Sequence, residues 1–281
     1  MPADARRPLV RNRVKHALAR VWPPPRGSAG ALAPIVCYHS VSPVASDLGV
    51  LPERFEAQIA YLTTHFRVLL LDRLVEHLKA GTVRPGSAVV TFDDGYVDNH
   101  EWALPILRRY GCPATVFVVT AFIQGKIVLV PDPKLGPLTW GQLRDLRRMG
   151  WTIGAHSHTH QILRGLPETE LKLEIAEPKT VLEEELGEPV TLFAYPNGQR
   201  PDFDERTVEF LRTCGYLAAC STLWGTRHRT ADVYALRRIV VHGDDDLATF
   251  SLKVHGRYDY LRMLHRLRPR WRRPGVPGTG H

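Results

Sequence analysis

Apolar residues in the middle of this chain fall into short continuous runs separated by stretches with helical spacing. The runs Pro34–Tyr38, Val68–Leu71, Ala88–Phe92, Ala114–Val119, Thr152–Ala155, Val190–Ala194, Tyr216–Cys220 and Leu236–Val241 have the length and composition of buried strands. Between them, Phe55, Ile59 and Leu62 share a helical face, as do Ala103, Ile106, Leu107 and Tyr110. Leu143, Leu146 and Met149, then Leu171–Leu186, then Val208–Leu211 continue the helical series. About eight strands alternating with helices predict a parallel α/β barrel, with a doubly wound open sheet as the runner-up. One long connection, Ala121–Leu138, carries Pro131, Pro133 and Pro137 and reads as a rim loop.

Both ends of the chain have a different rhythm. Val10, Val14, Ala17, Leu18, Val21 and Trp22 form a stripe with Arg and Lys opposite it, until Pro23-Pro24-Pro25 stops the helix. Tyr260, Leu261, Leu264 and Leu267 repeat the pattern among arginines. The expected organisation is a basic amphipathic tail over 1–30, one catalytic-size domain over 31–255, and a basic tail over 256–281. Charge sharpens this division. Residues 1–26 hold seven basic groups against one acid, and 257–281 hold seven arginines against one acid. The tails thus carry +12 of a net +8, and the remainder carries −4. A body that is mildly acidic, without aromatics interleaved among basic groups, argues against nucleic acid as a partner. Basic amphipathic ends point instead to peripheral contact with an anionic membrane. No secretory h-region opens at the N-terminus, and the four cysteines are scattered without a C-x-x-C. The expected location is cytoplasmic, at or near the inner face of the membrane, with free thiols.

The polar residues that follow the strands carry the chemistry. His39 follows the first, Asp93-Asp94 the third, His156-Ser157-His158-Thr159-His160 the fifth, and Tyr195-Pro196-Asn197-Gly198 the sixth. In a parallel barrel those C-terminal ends share one face, where catalysis sits. His156 and His160 are four apart, a spacing that in a helical turn lets two imidazoles grip one metal ion. Ser157 stands where an H-E-x-x-H protease has its glutamate, so a carboxylate must come from elsewhere. The paired aspartates can provide it. One can complete a His-His-Asp metal site, and the other can stay free to take a proton from water. A cation between them lets both stay ionised.

TFDDG, then G-A-H-S-H-T-H, then F-A-Y-P-N-G, with C-Y-H-S-V-S ahead of them, resemble the successive motifs of the polysaccharide deacetylases, the NodB-homology or carbohydrate esterase family 4 group. The likeness covers roughly residues 31–255, and the pattern is nearest to the exopolysaccharide deacetylases of biofilms. It implies a distorted (β/α)7-type barrel and metal-dependent removal of N-acetyl groups from an N-acetylated glycan or a lipid-linked sugar. By position it implies Asp93 as general base and Asp94, His156 and His160 as ligands of Zn²⁺ or another divalent ion. His158 has no ligand role in it.

Two positions depart from the family pattern. Ala194 stands where the family has an arginine that pairs with the base, so Arg237 or Arg238 must substitute, and Arg238 is favoured. Asn197 stands where a tyrosine is usual, although its backbone N–H can still serve as the oxyanion donor. For the general acid, His39 at the end of the first strand is favoured over His242, because biofilm-type relatives carry that strand at the N-terminus. Trp140, Trp151 and Trp224 are candidate sugar-stacking rings. The rival functions are a carbohydrate-binding protein that keeps the metal site without catalysis, and a hydrolase of a non-sugar amide.

Overall fold

The computed structural model describes residue 19 and residues 30–44, 46–130 and 135–260. The tail helices predicted for both ends lie outside the described residues, apart from Ala19, which is buried with Tyr258 and Tyr260. The regular elements run from Ala31 to Val254.

Eight parallel strands form one sheet: β1 (Ile35–Tyr38), β2 (Arg67–Leu69), β3 (Ser87–Phe92), β4 (Thr115–Val118), β5 (Thr152–Ala155), β6 (Leu192–Ala194), β7 (Ala218–Cys220) and β8 (Ile239–Val240). Seven follow the order β7-β6-β5-β4-β3-β1-β8, and β2 lies off this path against β3. Val89 pairs with both Ile35 and Leu69, while Thr91 pairs with both Cys37 and Thr115. The early half of β3 therefore shares one edge with β2, and its later half passes that edge to β4. The ends approach through a parallel bridge between Cys220 and Leu236, with Ser221 N–H donating to Leu236 O at 2.8 Å. The result is a distorted parallel β/α barrel. The runner-up, an open doubly wound sheet, does not fit this closure.

All eight predicted strands are present, with shifted ends. The run Val68–Leu71 is a shorter strand whose last residue begins a helix, α2 (Leu71–Ala80), after α1 (Pro52–His65). Helix α2 escapes a reading by runs because its first leucines merge with the strand. The predicted Leu171–Leu186 helix is interrupted by a π turn at Lys172–Ala176 before α5 (Glu177–Leu186). Between them lie α3 (Leu104–Arg109) and α4 (Trp140–Arg148), and after them α6 (Glu205–Thr213) and α7 (Leu247–Val254).

Alternation along the strands sorts the core into two parts. Val36, Tyr38, Val90, Phe92, Val116, Val118 and Phe193 pack outward against the helices. Ile35, Val89, Phe117, Leu192, Ala194, Ala218, Cys220 and Leu236 form the interior, plugged by Leu71, Leu74, Val75 and Leu78 of α2. Trp151, one of the candidate stacking rings, belongs to the outer layer: it is buried and stacks on Phe92 with centroids 5.2 Å apart. Trp140 and Trp224 are also packed against that core.

Continuing the inward parity past the strand ends gives Cys37 and His39 on β1, Asp93 on β3, His156 on β5 and Arg238 ahead of β8. The pleat that fills the barrel with apolar side chains therefore delivers polar ones at its mouth. Gly154 makes room for the Phe117 ring beneath them. A Cβ there would lie 2.5 Å from the Phe117 ring and 3.0 Å from Leu192 O. Gly154→Ala should cost about 1–3 kcal/mol by overpacking. The measurement is the urea midpoint, expected to fall with an unchanged slope.

Candidate active site

β3 ends at Phe92, yet Asp93 stays in the ladder, its N–H donating to Tyr38 O at 2.9 Å. Asp94 then turns to φ 73° and Gly95 to φ 84°. That reversal sends adjacent carboxylates in different directions. Gly95 is required on two counts: its φ is left-handed, and a Cβ would meet Val118 Cγ1 at 2.8 Å.

Asp93 is buried, and so is its partner Arg238. The guanidinium forks onto it, with one NH₂ 2.6 Å from Oδ1 and the other 2.6 Å from Oδ2. Its Nε donates to Ser221 O at 3.0 Å, which fixes the fork. Burial pushes the Asp93 carboxyl upward, but Arg238, helped by His156 and His39, outweighs it and holds the group well below the usual carboxylate range. Arg238 thus supplies the guanidinium that position 194 does not, reaching Asp93 from the segment entering β8. Arg237 takes a different direction and lies near Trp224 O.

Asp94 Oδ1 lies 3.5 Å from His156 Nε2 and 3.6 Å from His160 Nε2. The histidines do not sit in the helical turn that their spacing suggests. They flank a loop in which Ser157 and His160 both adopt φ 63°, and the rings approach to 4.9 Å between centroids. Left-handed corners do here what a helical turn would do, because a helix started at His156 would carry the next residues off the barrel mouth. His160 N–H donates to Ser157 Oγ at 3.0 Å and closes the loop.

His156 Nδ1 is 2.8 Å from Ala194 O. A carbonyl only accepts, so Nδ1 carries the proton and Nε2 presents its lone pair. Burial pulls this imidazole down to about 4, which keeps it neutral at ordinary pH. Asp94 Oδ1 is buried and has no hydrogen-bond partner. A lone carboxylate oxygen facing the His156 Nε2 lone pair is unfavourable unless a cation lies between them. Donors at 2.0–2.1 Å from a tetrahedral ion stand about 3.3 Å apart, close to the separations found. Asp94, His156 and His160 therefore fit a divalent metal ion with an open position.

Glu174 is a site residue that the sequence reading passed over. It is buried on the π turn, where it accepts from His158 N–H at 3.0 Å and Thr159 N–H at 2.9 Å, and also from the Thr159 hydroxyl. It clamps the loop between the two histidines. The available signal was a carboxylate on the apolar face of Leu171, Ile175 and Leu182. His158 is not part of the cluster; its Nδ1 pairs with Thr120 Oγ1 at 2.8 Å.

His39 is half-buried beside Asp93. One ligand atom each from Cys37, His39 and Asp93 lie within 4.8 Å of one another. Asn99 Nδ2 holds the His39 carbonyl at 2.8 Å, and the neighbouring Asp98 accepts from the Ser40 hydroxyl. The segment after TFDDG thus grips the strand end that carries His39. His242 is tied to a neighbouring loop: its backbone N–H donates to Asp245 Oδ2 at 2.8 Å, and its imidazole bonds the Asp47 backbone. Asn197 is exposed at φ 58°, and its side-chain amide donates to Asp202 at 2.6 Å rather than to any member of the cluster.

Comparison with known proteins agrees with this geometry. Residues 80–219 match the family model described as polysaccharide deacetylase. The protein YxkH of Bacillus subtilis is 29% identical over 213 residues, 75% of this chain and 72% of its own. A poly-β-1,6-N-acetyl-D-glucosamine N-deacetylase of Staphylococcus aureus is 26% identical over 158 residues, 56% of this chain and 52% of that relative. This chain therefore aligns with only about half the length of the staphylococcal protein. In fold it is similar to the Streptococcus pyogenes deacetylase PplD in complex with acetate, with TM-score 0.70, 21% identity, and coverage of 80% of this chain and 99% of the other. Barrel, metal-ligand cluster and matched motifs together define the class: the chain belongs to the polysaccharide deacetylase family.

Two outcomes follow from this geometry. Arg238→Met leaves Asp93 buried and unpaired, which should cost about 3–5 kcal/mol at neutral pH. The wild-type contribution is present above the unfolded carboxyl pKa and is lost only as pH falls through the depressed folded value. In the variant burial loses its main opponent, the Asp93 pKa rises, and the penalty shrinks toward acid pH. Urea melts across pH would show the two proteins converging as pH falls. Glu174→Ala should loosen the histidine loop and weaken divalent-metal affinity by roughly 10–100-fold, read by titration calorimetry.

Proposed function

We propose that this protein is a metal-dependent hydrolase that removes N-acetyl groups from an N-acetylated glycan. The carrying observation is the pairing of two different carboxylates at one barrel mouth. Asp93 is held charged by Arg238, while Asp94 converges with His156 and His160. Zn²⁺ or another divalent ion held by Asp94, His156 and His160 would supply Lewis-acid polarisation of the amide carbonyl and a more acidic water.

The chain's own residues do the rest. Asp93 accepts the proton of the attacking water. Arg238 keeps that carboxylate ionised and fixed in direction until the transfer. The Asn197 backbone N–H is the oxyanion donor contributed after β6. His39 protonates the departing sugar nitrogen, and acetate leaves with the acyl carbon. The half-buried position of His39 next to Asp93, and the bond of the His242 imidazole to the Asp47 backbone, support His39 for the acid role. The rival reading of a binding protein without catalysis leaned on the missing arginine at Ala194, and the Arg238 fork removes that reason. The staphylococcal relative's polymer makes poly-β-1,6-N-acetyl-D-glucosamine the first substrate to offer.

The experiment is acetate release by metal-loaded protein from N-acetylglucosamine oligomers. Asp93→Asn should lower turnover by roughly 10²–10⁴-fold and keep the metal. Asp94→Ala should lose the metal itself, measured by elemental analysis after dialysis. Wild-type turnover in Asp93→Asn would refute the assignment of base and ligand.

A further inference from the structure

The base has a third neighbour. Cys37 lies on β1 opposite Thr91, buried, with its Sγ 3.4 Å from Asp93 Oδ2. Burial holds its thiol well above the usual range, so the S–H is intact and donates to the carboxylate. Two residues on, at the same inward parity, stands His39, whose buried Nδ1 has no hydrogen-bond partner. Cys37, His39 and Asp93 thus converge as a sulfur, a nitrogen and an oxygen donor within 4.8 Å. This set shares no residue with Asp94, His156 and His160. Its spacing suits an ion: bonds of ~2.3 Å to sulfur and ~2.0 Å to oxygen at a tetrahedral angle place those atoms about 3.5 Å apart.

We infer that Cys37, His39 and Asp93 form a second cation site, selective for thiophilic divalent ions such as Zn²⁺ and Cd²⁺. Binding exchanges one bond for another. The Cys37 S–H proton passes to solvent, the thiolate bonds the ion, and Asp93 Oδ2 accepts the ion where it accepted the thiol proton. No redox partner is required. Thiolate with imidazole selects against Mg²⁺ and Ca²⁺, which prefer oxygen. The site is weaker than the Asp94 site for two physical reasons: the Arg238 charge is already on Asp93, and a thiol proton must be displaced. It therefore fills only when metal is in excess. Filling it removes the free carboxylate and the imidazole together, so excess thiophilic metal inhibits. That consequence rests on the deacetylase reading; the cation site does not.

The test is a Cd²⁺ titration of metal-free protein, followed by the ultraviolet Cd–thiolate charge-transfer band. The first phase should fill Asp94, His156 and His160 without a thiolate band, and the second should produce the band. Cys37→Ser and Cys37→Ala should each abolish the second phase and keep the first, with folding checked by circular dichroism. No band at excess Cd²⁺, or a band of equal size in both variants, would overturn the site, because it would place the thiolate at another cysteine or nowhere. Acetate release should fall several-fold with excess Zn²⁺ in the wild type and much less in the Cys37 variants. A protein that shows the band but releases no acetate at any Zn²⁺ level would refute the deacetylase reading while leaving the cation site standing.

Discussion

The salt bridge between Asp93 and Arg238 is the constraint on which the rest of the mouth depends. A buried carboxylate without a partner would take up a proton and lose its charge. A buried guanidinium without one would oppose folding. Each makes the other tolerable, and the fork geometry does so with direction as well as charge. The bridge also constrains topology. Arg238 comes from the segment entering β8 and Asp93 from the end of β3, with β1 between those strands. Joining them across the lumen requires β8 beside β1 and the Cys220–Leu236 bridge that brings the sheet ends together. The arginine at the family's usual place would have come from β6. Here Arg238 supplies the interaction from the segment entering β8, while the backbone carbonyl of Ala194 orients His156.

Backbone strain is concentrated at the same place. The non-glycine residues with left-handed φ among those described are Asp94, Ser157, His160 and Asn197. All follow the C-terminal ends of strands that meet at the mouth. Such conformations cost on the order of a kcal/mol or more each and persist only where surrounding contacts over-determine them. Those contacts are visible: Gly95 against Val118, Ser157 Oγ under His160, Glu174 beneath the histidine loop, and Asp202 on Asn197. The strain is what turns a strand direction, which alternates inward and outward, into a convergent cluster.

This division explains what could be read from the sequence. Strands and their polar ends were legible because period-two burial and C-terminal placement are local properties. Asp93, Asp94, His156, His160 and His39 sit within a residue or a few of an apolar run. Arg238 could be proposed only because a missing partner at Ala194 demanded one, and its selection over Arg237 follows from inward parity. The helical turn expected for His156 and His160 was wrong because spacing does not encode φ, and Ser and His carry little signal for left-handed conformation. Glu174 was hidden because its role is set by a loop fifteen or so positions away. Helix α2 was obscured where a strand and a helix share leucines. Trp151 shows the converse error, since a large ring offered for sugar stacking is more strongly drawn to the core.

The two neighbouring aspartates can now be told apart physically. They share a sequence environment, yet one peptide turn puts Asp93 in the ladder, inside the lumen and against a fixed cation, and puts Asp94 out of it, against the imidazoles of His156 and His160. Asp93 has every oxygen paired within the protein, whereas Asp94 has an oxygen that nothing in the protein satisfies. A group already satisfied can hold its charge and wait for a proton; a group left unsatisfied calls for an external cation. Adjacency therefore does not imply shared duty. It lets one turn, enforced by Gly95, set the distance between the carboxylate that faces two imidazoles and the carboxylate held by Arg238.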